Sequence, residues 1–293
     1  MAPAPTIALL FPGQGSQTDG MREIVERRRP DLLELALGEV GDDLFDRAAD
    51  GTRWAQPAIY CAALAGWEEL RDRIEPPALM AGHSLGEIGA LTAAGAIAAD
   101  DGLRLVAARG HLMQEAAEET GDGGMIAVRA RGDRSAINEV ADETGLQIAN
   151  DNAPDQLVLS GATAALDEAE TKLAERKVRA KRLPVAGAFH SRLMEPAVEP
   201  FRAVVADIDV REPDVPVLSC VTAEPFDDIP ARLVEALTSP VRWLDVMREL
   251  ERRGAERYVE TGPGRVLTNL VRKSIDGADA EAPLAEEAEA ARA

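Results

Sequence analysis

The segment "PALMAGHSLGEIGALTAAGAIA" (77–98) constrains the fold more than any other part of the chain. A short apolar run, "PALMAG" (77–82), reads as a buried strand. A small-residue stretch, 85–98, follows at once and reads as a helix able to pack closely on a sheet. Between them lies Gly82-His83-Ser84-Leu85-Gly86, a G-x-S-x-G pattern. That pattern marks a serine on a sharp strand-to-helix turn, with glycines where side chains would obstruct it.

Strands alternate with helical patterns elsewhere, as in α/β proteins. "TIALLF" (6–11) ends at Pro12-Gly13 as a buried strand does, and 56–70 reads as a helix. Asp100 is placed to N-cap a helix over 101–119. From 125 to 185 the pattern becomes "MIAVRA" strand, "RSAINEVADETG" helix, "LQIAND" and "QLVLSG" strands joined through Asn152–Asp155, "ATAALDEAETKLAERK" helix and "VRAKRLPV" strand. That βαββαβ order is the ferredoxin-like arrangement. It predicts a small domain at 123–186 inserted into a large domain made of 1–122 and 187–293. "PVLSCVT" (216–222) and "RYVET" (257–261) are expected strands, with helices over "IPARLVEAL", "VRWLDVMREL" and "VLTNLVRKSI". The acidic tail from Gly277 reads as a frayed helix or disordered end.

Composition excludes several function classes. The 293 residues carry a formal charge of −20, which disfavours nucleic acid and anionic membrane surfaces as partners. The N-terminus lacks the basic region of a signal peptide, and the apolar run around 90–99 is too short to span a bilayer. A cytoplasmic protein is expected. Cys61 and Cys220 form no CxxC pair, and His83, His111 and His190 show no metal-ligand spacing, so no metal is expected.

Ser84 is the candidate nucleophile, and the N-terminus of the helix after it could hold an oxyanion. A serine needs a base at neutral pH. His83 is adjacent on the turn and points away, and His111 reads as a partly exposed helix residue. His190, in "VAGAFHSRLM" at the domain junction, is left as the base. Arg109 falls in a column with Leu105, Leu112 and Ala116 that should face inward. A buried guanidinium needs an anion, either one of the 52 acidic side chains or a carboxylate on a substrate. The Gly-rich loop "FPGQGSQ" (11–17) could supply a second oxyanion donor. The run "ERKVRAKR" (175–182) gathers Arg176, Lys177, Arg179, Lys181 and Arg182 in an otherwise acidic chain.

Eight motifs in order carry a resemblance: "FPGQGSQ", "QPAIY" (56–60), "GHSLGE" (82–87), "ARGHLM" (108–113), "GGMIAV" (123–128), "ANDNAP" (149–154), "GAFHSRLM" (187–194) and "ETGPGRVLTNL" (260–270). Over about residues 6–273 the chain resembles malonyl-CoA:acyl carrier protein transacylases, including their polyketide relatives. The resemblance implies an α/β-hydrolase-like large domain with a parallel sheet core and the ferredoxin-like insertion. It implies Ser84 as nucleophile and His190 as base, with backbone carbonyls, Arg253's among them, orienting the histidine in place of an acid. It implies oxyanion amides at Gln14 and Leu85 and pairing of Arg109 with the malonyl carboxylate. Gln56, Met113, Asn152 and Phe189 are the implied pocket residues, and the bulk of Phe189 favours malonyl over branched groups. The implied partners are malonyl-CoA and an acidic acyl carrier protein, met by the basic run with Arg272 and Lys273. The implied protein is a monomer that needs no cofactor of its own. The rival readings are an acyltransferase of a secondary pathway, a serine hydrolase, and a non-catalytic adaptor for carrier proteins.

Overall fold

The computed structural model describes residues 5–41, 44–130, 134–185 and 187–290. The domain boundary expected at Ala186, and the first and last few residues of the chain, lie outside them. In chain order the elements begin β1 (Ile7–Phe11), α1 (Met21–Arg28), α2 (Pro30–Val40), α3 (Thr52–Leu70), β2 (Leu79–Gly82), α4 (Gly86–Ala93) and α5 (Ala99–Thr120). Then come β3 (Gly124–Arg129), α6 (Ser135–Thr144), β4 (Gln147–Ala153), β5 (Gln156–Gly161), α7 (Thr163–Glu175) and β6 (Arg179–Arg182). The chain closes with α8 (Glu195–Ala206), β7 (Val217–Leu218), α9 (Ile229–Glu235), α10 (Trp243–Arg252), β8 (Arg257–Glu260), α11 (Val266–Ser274), β9 (Asp279–Glu281) and α12 (Pro283–Ala290).

Two sheets organise the molecule. One is parallel, in the order β7-β2-β1-β8-β9; the other is antiparallel, in the order β4-β5-β3-β6. Every residue of β1 and β2 is buried, because helices cover both faces of a parallel sheet. Alternation along β1 divides its side chains between two cores. Ile7, Leu9 and Phe11 join the one containing α3 and α5, while Ala8 and Leu10 join the one containing α10 and α11. The antiparallel sheet packs Ile126, Val128, Leu157 and Leu159 against α6 and α7. Its opposite face, with Met125, Ala127 and Val158, looks into a cleft against the parallel sheet.

Several sequence expectations need correction. Strand β7 is two residues long, because beyond Leu218 the Cys220 amide donates to the Glu87 carboxylate at 2.6 Å. Helix α5 starts at Ala99 with Ala98 as its N-cap, so Asp100 sits in the first turn, where its charge suits the helix dipole. Strand β4 runs through Asn152 and Ala153, which leaves only Pro154-Asp155 as the turn. The described part of the tail, through residue 290, is ordered: β9 pairs parallel with β8, and α12 buries Leu284 and Ala285. Arg73 on the loop after α3 pairs with Glu287, and Arg265 pairs with Glu289 at 2.7 Å. Among the described residues no helix is long and apolar enough to cross a membrane.

Candidate active site

The loops after β1, β2 and β8 leave the same edge of the parallel sheet, where ligands bind in open α/β folds. There they meet the antiparallel sheet around a cleft of about 640 Å³. That volume is in the range of small-molecule sites. Gln14, Gln56, His83, Ser84, Leu85, Arg109, Met113, Asn152, Phe189 and His190 all line it. The catalytic and pocket residues expected from sequence are therefore brought together.

The elbow that carries Ser84 is built by close packing. Cβ atoms on Gly82 or Gly86 would run into backbone, of Gly86 and Glu87 in the first case and of Phe11 in the second. Ser84 itself adopts φ 55°, and His190 φ 57°. Left-handed backbone costs a non-glycine residue roughly 1–2 kcal/mol. Two such residues sit face to face, with Ser84 Oγ 2.8 Å from His190 Nε2. The His190 turn is held by Ser191, whose hydroxyl donates to Ala188 O at 2.6 Å and accepts from the Leu193 amide.

The hydrogen bonds fix the imidazole tautomer. Nδ1 of His190 faces two carbonyl oxygens, Ala236 O at 2.8 Å and Ser239 O at 3.1 Å. Carbonyls only accept, so Nδ1 carries the proton and Nε2 presents its lone pair to the serine hydroxyl. The orienting carbonyls therefore come from the segment after α9. Arg253, expected in this role, instead ends α10 and places its guanidinium on Glu249 and Glu224. Burial, then the Arg109 and His83 charges, push His190 down to about 3, against the pull of the two carbonyls. The ring is neutral at physiological pH, as a general base must be.

Arg109 is 3% exposed and turns inward from α5 as its column predicts. Its guanidinium donates to Gln56 Oε1 at 2.8 Å and to Ser84 Oγ at 3.1 Å. No described carboxylate forms an ion pair with it. Burial lowers it to about 10, with Glu87 opposing, so it remains a cation at neutral pH. Gln56 also donates to Thr52 Oγ1 at 2.8 Å and contacts Met113 Sδ at 3.5 Å. Asn152 Oδ1 lies 2.8 Å from His83 Nε2, linking β4 to the elbow, and the His83 ring packs on Trp243. The flanking amides are spoken for, His83 N by Phe11 O and Gly86 N by His83 O. Those of Gln14 and Leu85 have no acceptor among the described residues and line the cleft beside Ser84.

The basic run divides. Arg176 is paired with Glu143 at 2.8 Å, and Arg182 with Asp167 at 2.6 Å, on the helical side of the small sheet. Arg272 donates to Ala280 O, and Lys273 reaches Gln156 Oε1 at 2.9 Å. Lys177, Arg179 and Lys181 are exposed, and no described residue pairs with them. In register, Arg179 lies opposite Arg129, and Lys181 opposite Ala127. By alternation Arg179 and Lys181 share the face of Met125 and Ala127, which line the cleft, while Lys177 precedes β6 in a left-handed turn after α7. Sequence reasoning missed Arg129, although it stands two residues beyond Ala127 in the same alternating run. It also missed Glu87, buried on the first turn of α4. Among the described residues no cluster of His, Cys, Asp and Glu could hold a metal ion.

Comparison with known proteins agrees with this fold. Residues 39–289 match the family described as acyl transferase domain. The chain is 43% identical over 282 residues to the polyketide biosynthesis protein ThaF of Burkholderia thailandensis, covering 92% of this chain and 24% of that much longer protein. It is 38% identical over 289 residues to the malonyl CoA-acyl carrier protein transacylase of Bacillus subtilis, covering 91% and 90% of the two chains. The crystal structure of the malonyl-CoA:acyl carrier protein transacylase of Xanthomonas oryzae pv. oryzae superposes with a TM-score of 0.88 at 37% identity, covering 98% of each chain. A parallel α/β core beside an antiparallel sheet accords with those relationships, and the chain belongs to the acyl transferase domain family.

Proposed function

We propose that the protein moves a malonyl group from malonyl-CoA to the phosphopantetheine thiol of an acyl carrier protein through an acyl-serine. The observation that carries this reading is Arg109. It is a buried cation, without a described ion pair, whose Nη2 lies 3.1 Å from the nucleophilic oxygen. A carboxylate two bonds beyond a thioester carbonyl would meet it as that carbonyl meets Ser84.

In the first half-reaction Ser84 Oγ attacks the thioester carbonyl and its proton passes to His190 Nε2. The amides of Gln14 and Leu85 hold the oxyanion. The C–S bond then breaks, and the coenzyme A thiolate takes the proton from His190. In the second half the carrier's thiol gives its proton to His190 and attacks the ester carbonyl. The bond to Ser84 Oγ breaks and the hydroxyl is restored. Protons and leaving groups balance with the protein's own groups and two thiols, so the reaction calls for no cofactor or metal. Gln56 and Met113 set the arginine, Asn152 sets the His83 wall, and the Phe189 ring crowds an α-branched acyl group. For the acidic carrier we propose the cleft-side row of Arg179 and Lys181, with the exposed Lys177 before it, extended by Arg129 and by Arg272 and Lys273 of α11. Arg176 and Arg182 are neutralised by the carboxylates of Glu143 and Asp167 in close ion pairs and contribute less.

Incubation with malonyl-CoA and a phosphopantetheinylated carrier tests the reading directly. Malonyl-carrier should form; release of free malonate alone would make the protein a hydrolase. The similarity to a polyketide protein supports a second reading, service to a secondary pathway. A preference for a polyketide carrier over a fatty acid carrier would select it.

A further inference from the structure

The proposed reaction leaves one buried carboxyl beside the nucleophile unused. Glu87 is 1% exposed on the first turn of α4, three residues after Ser84. Its Oε1 accepts from the Cys220 amide at 2.6 Å, and the Cys220 thiol donates to Gly82 O at 3.0 Å. These contacts tie the carboxyl to the elbow from both ends. Glu87 has no ion-pair partner among the described residues, and neither has Arg109. Two ionisable groups of opposite sign are thus buried around one serine, each with neutral hydrogen-bond partners and no opposite charge at contact distance among the described residues.

The charged and titratable groups facing Glu87 are few. Arg109 comes from α5, and Cys220 from the segment after β7, with the neutral Ser219 hydroxyl beside it. His83 and Arg109 act on His190, and neither histidine acts on Glu87. Cys220 is pushed up by burial and by Glu87, so it is a neutral thiol throughout the physiological range. Among the described residues Arg109 is therefore the one charged side chain whose field reaches Glu87; the two surround Ser84, Arg109 through its hydrogen bond to Oγ at 3.1 Å and Glu87 three residues along the chain.

We propose that Glu87 is the resident counter-charge of Arg109, and that it takes up a proton from solvent when a substrate carboxylate docks on the arginine. This rests on the reading that Arg109 receives the malonyl carboxylate. In the free site the Glu87 anion partly neutralises the guanidinium. A docked carboxylate supplies that charge itself and makes a second buried anion unfavourable, because two like charges near one cation cannot both be compensated. Protonated Glu87 keeps an oxygen to accept from the Cys220 amide, so the elbow is undisturbed. Burial raises Glu87 to about 7, against the Cys220 amide and Arg109, so its proton exchanges near neutral pH. An uncharged acetyl group makes no such demand. Selectivity for a dicarboxylic half-thioester therefore falls as pH rises and Glu87 ionises before the substrate arrives.

The experiment is the ratio of kcat/KM for malonyl-CoA to that for acetyl-CoA, from about pH 6 to about pH 8.5. It is measured in the wild type and in Glu87→Gln, which keeps the acceptor for the Cys220 amide. If docking raises the proton affinity of Glu87 about tenfold, the wild-type ratio falls by nearly as much, about tenfold, across this range. The Glu87→Gln ratio should be flat and stay near the wild type's low-pH value. A flat wild-type ratio, or a slope that survives in Glu87→Gln, overturns the proposal. Calorimetric titration of Ser84→Ala with each thioester, in buffers of different ionisation enthalpy, serves if Glu87→Gln does not fold. Proton uptake with malonyl-CoA but not acetyl-CoA supports the proposal, and equal uptake overturns it. A ratio near one at every pH would mean that Arg109 does not select carboxylates, and would overturn the underlying reading and this inference together.

Discussion

Arg109 and His190 approach one oxygen atom from different elements: the guanidinium donates to Ser84 Oγ at 3.1 Å, and the imidazole Nε2 lies 2.8 Å from it. The serine thus gives its proton to one neighbour while accepting from the other. Specificity and activation meet on a single atom.

Removing the cation should separate the two roles. Arg109→Ala is expected to lower kcat/KM for malonyl-CoA by about a hundredfold or more, the cost of losing one member of a buried charge pair. Acetyl-CoA, which brings no carboxylate, should lose far less. Steady-state kinetics with both thioesters checks this, and equal losses would remove the substrate argument.

His190 predicts an unusual pH profile. A base must be unprotonated to act, and burial with the nearby Arg109 charge holds this ring down to about 3. The rate with acetyl-CoA, free of carboxylate linkage, should therefore show no acid limb near the ordinary histidine value of about 6.5. A limb there would place a solvated, carboxylate-supported histidine in the role.

Glu260 carries a stability prediction. Its carboxyl, at the end of β8, accepts from Thr268 N at 2.8 Å, Thr268 Oγ1 at 2.8 Å and Leu267 N at 3.2 Å, capping α11. Glu260→Ala should cost about 2–3 kcal/mol in chemical denaturation, since it leaves buried donors unpaired. Burial raises Glu260 to about 7, so in the fold it holds its proton while the unfolded chain has released it. Stability from this group is therefore full below about pH 4.5 and declines as pH rises towards 7. Glu260→Gln, which cannot ionise, should gain on the wild type over that window.

The elbow tolerates no side chain at Gly82, where a Cβ would meet the Gly86 and Glu87 backbone. Gly82→Ala should cost about 3 kcal/mol or displace the turn. Thermal melting and labelling by a serine-directed phosphonate would report each outcome.

Charge reversal of Lys177, Arg179 and Lys181 should weaken use of the carrier protein, most at low salt, and leave loading from malonyl-CoA intact. Two-stage kinetics separates the half-reactions. Unchanged carrier kinetics would move the dock elsewhere.

Much of this was legible in the sequence, and for physical reasons. Strands β1 and β2 are wholly buried, so they stand out as short apolar runs bounded by glycine and proline. Arg109 betrays itself as a charge in a column with the buried Leu105 and Ala116. The carbonyls of Ala236 and Ser239 could not be read, because a backbone acceptor has no residue signature and theirs lie 46 and 49 positions from His190. The short β7 was hidden likewise, since the Ser219 amide turns to Glu224 O and a glutamate 133 positions away takes the Cys220 amide. The tail misled because its acidic surface conceals two anchors, Leu284 against the core and Glu289 on Arg265. Alternation in β3 sets Arg129 on the face of Ala127, but its neighbour Arg179 belongs to a strand 50 positions away, so the pair has no local sequence signal.

The most direct test is the intact mass of the protein after brief exposure to an equimolar mixture of malonyl-, methylmalonyl- and acetyl-CoA. One malonyl group should appear on Ser84, with no adduct on Ser84→Ala. An unmodified protein, or an acetyl adduct in the majority, would contradict transfer of a malonyl group through an acyl-serine held by Arg109.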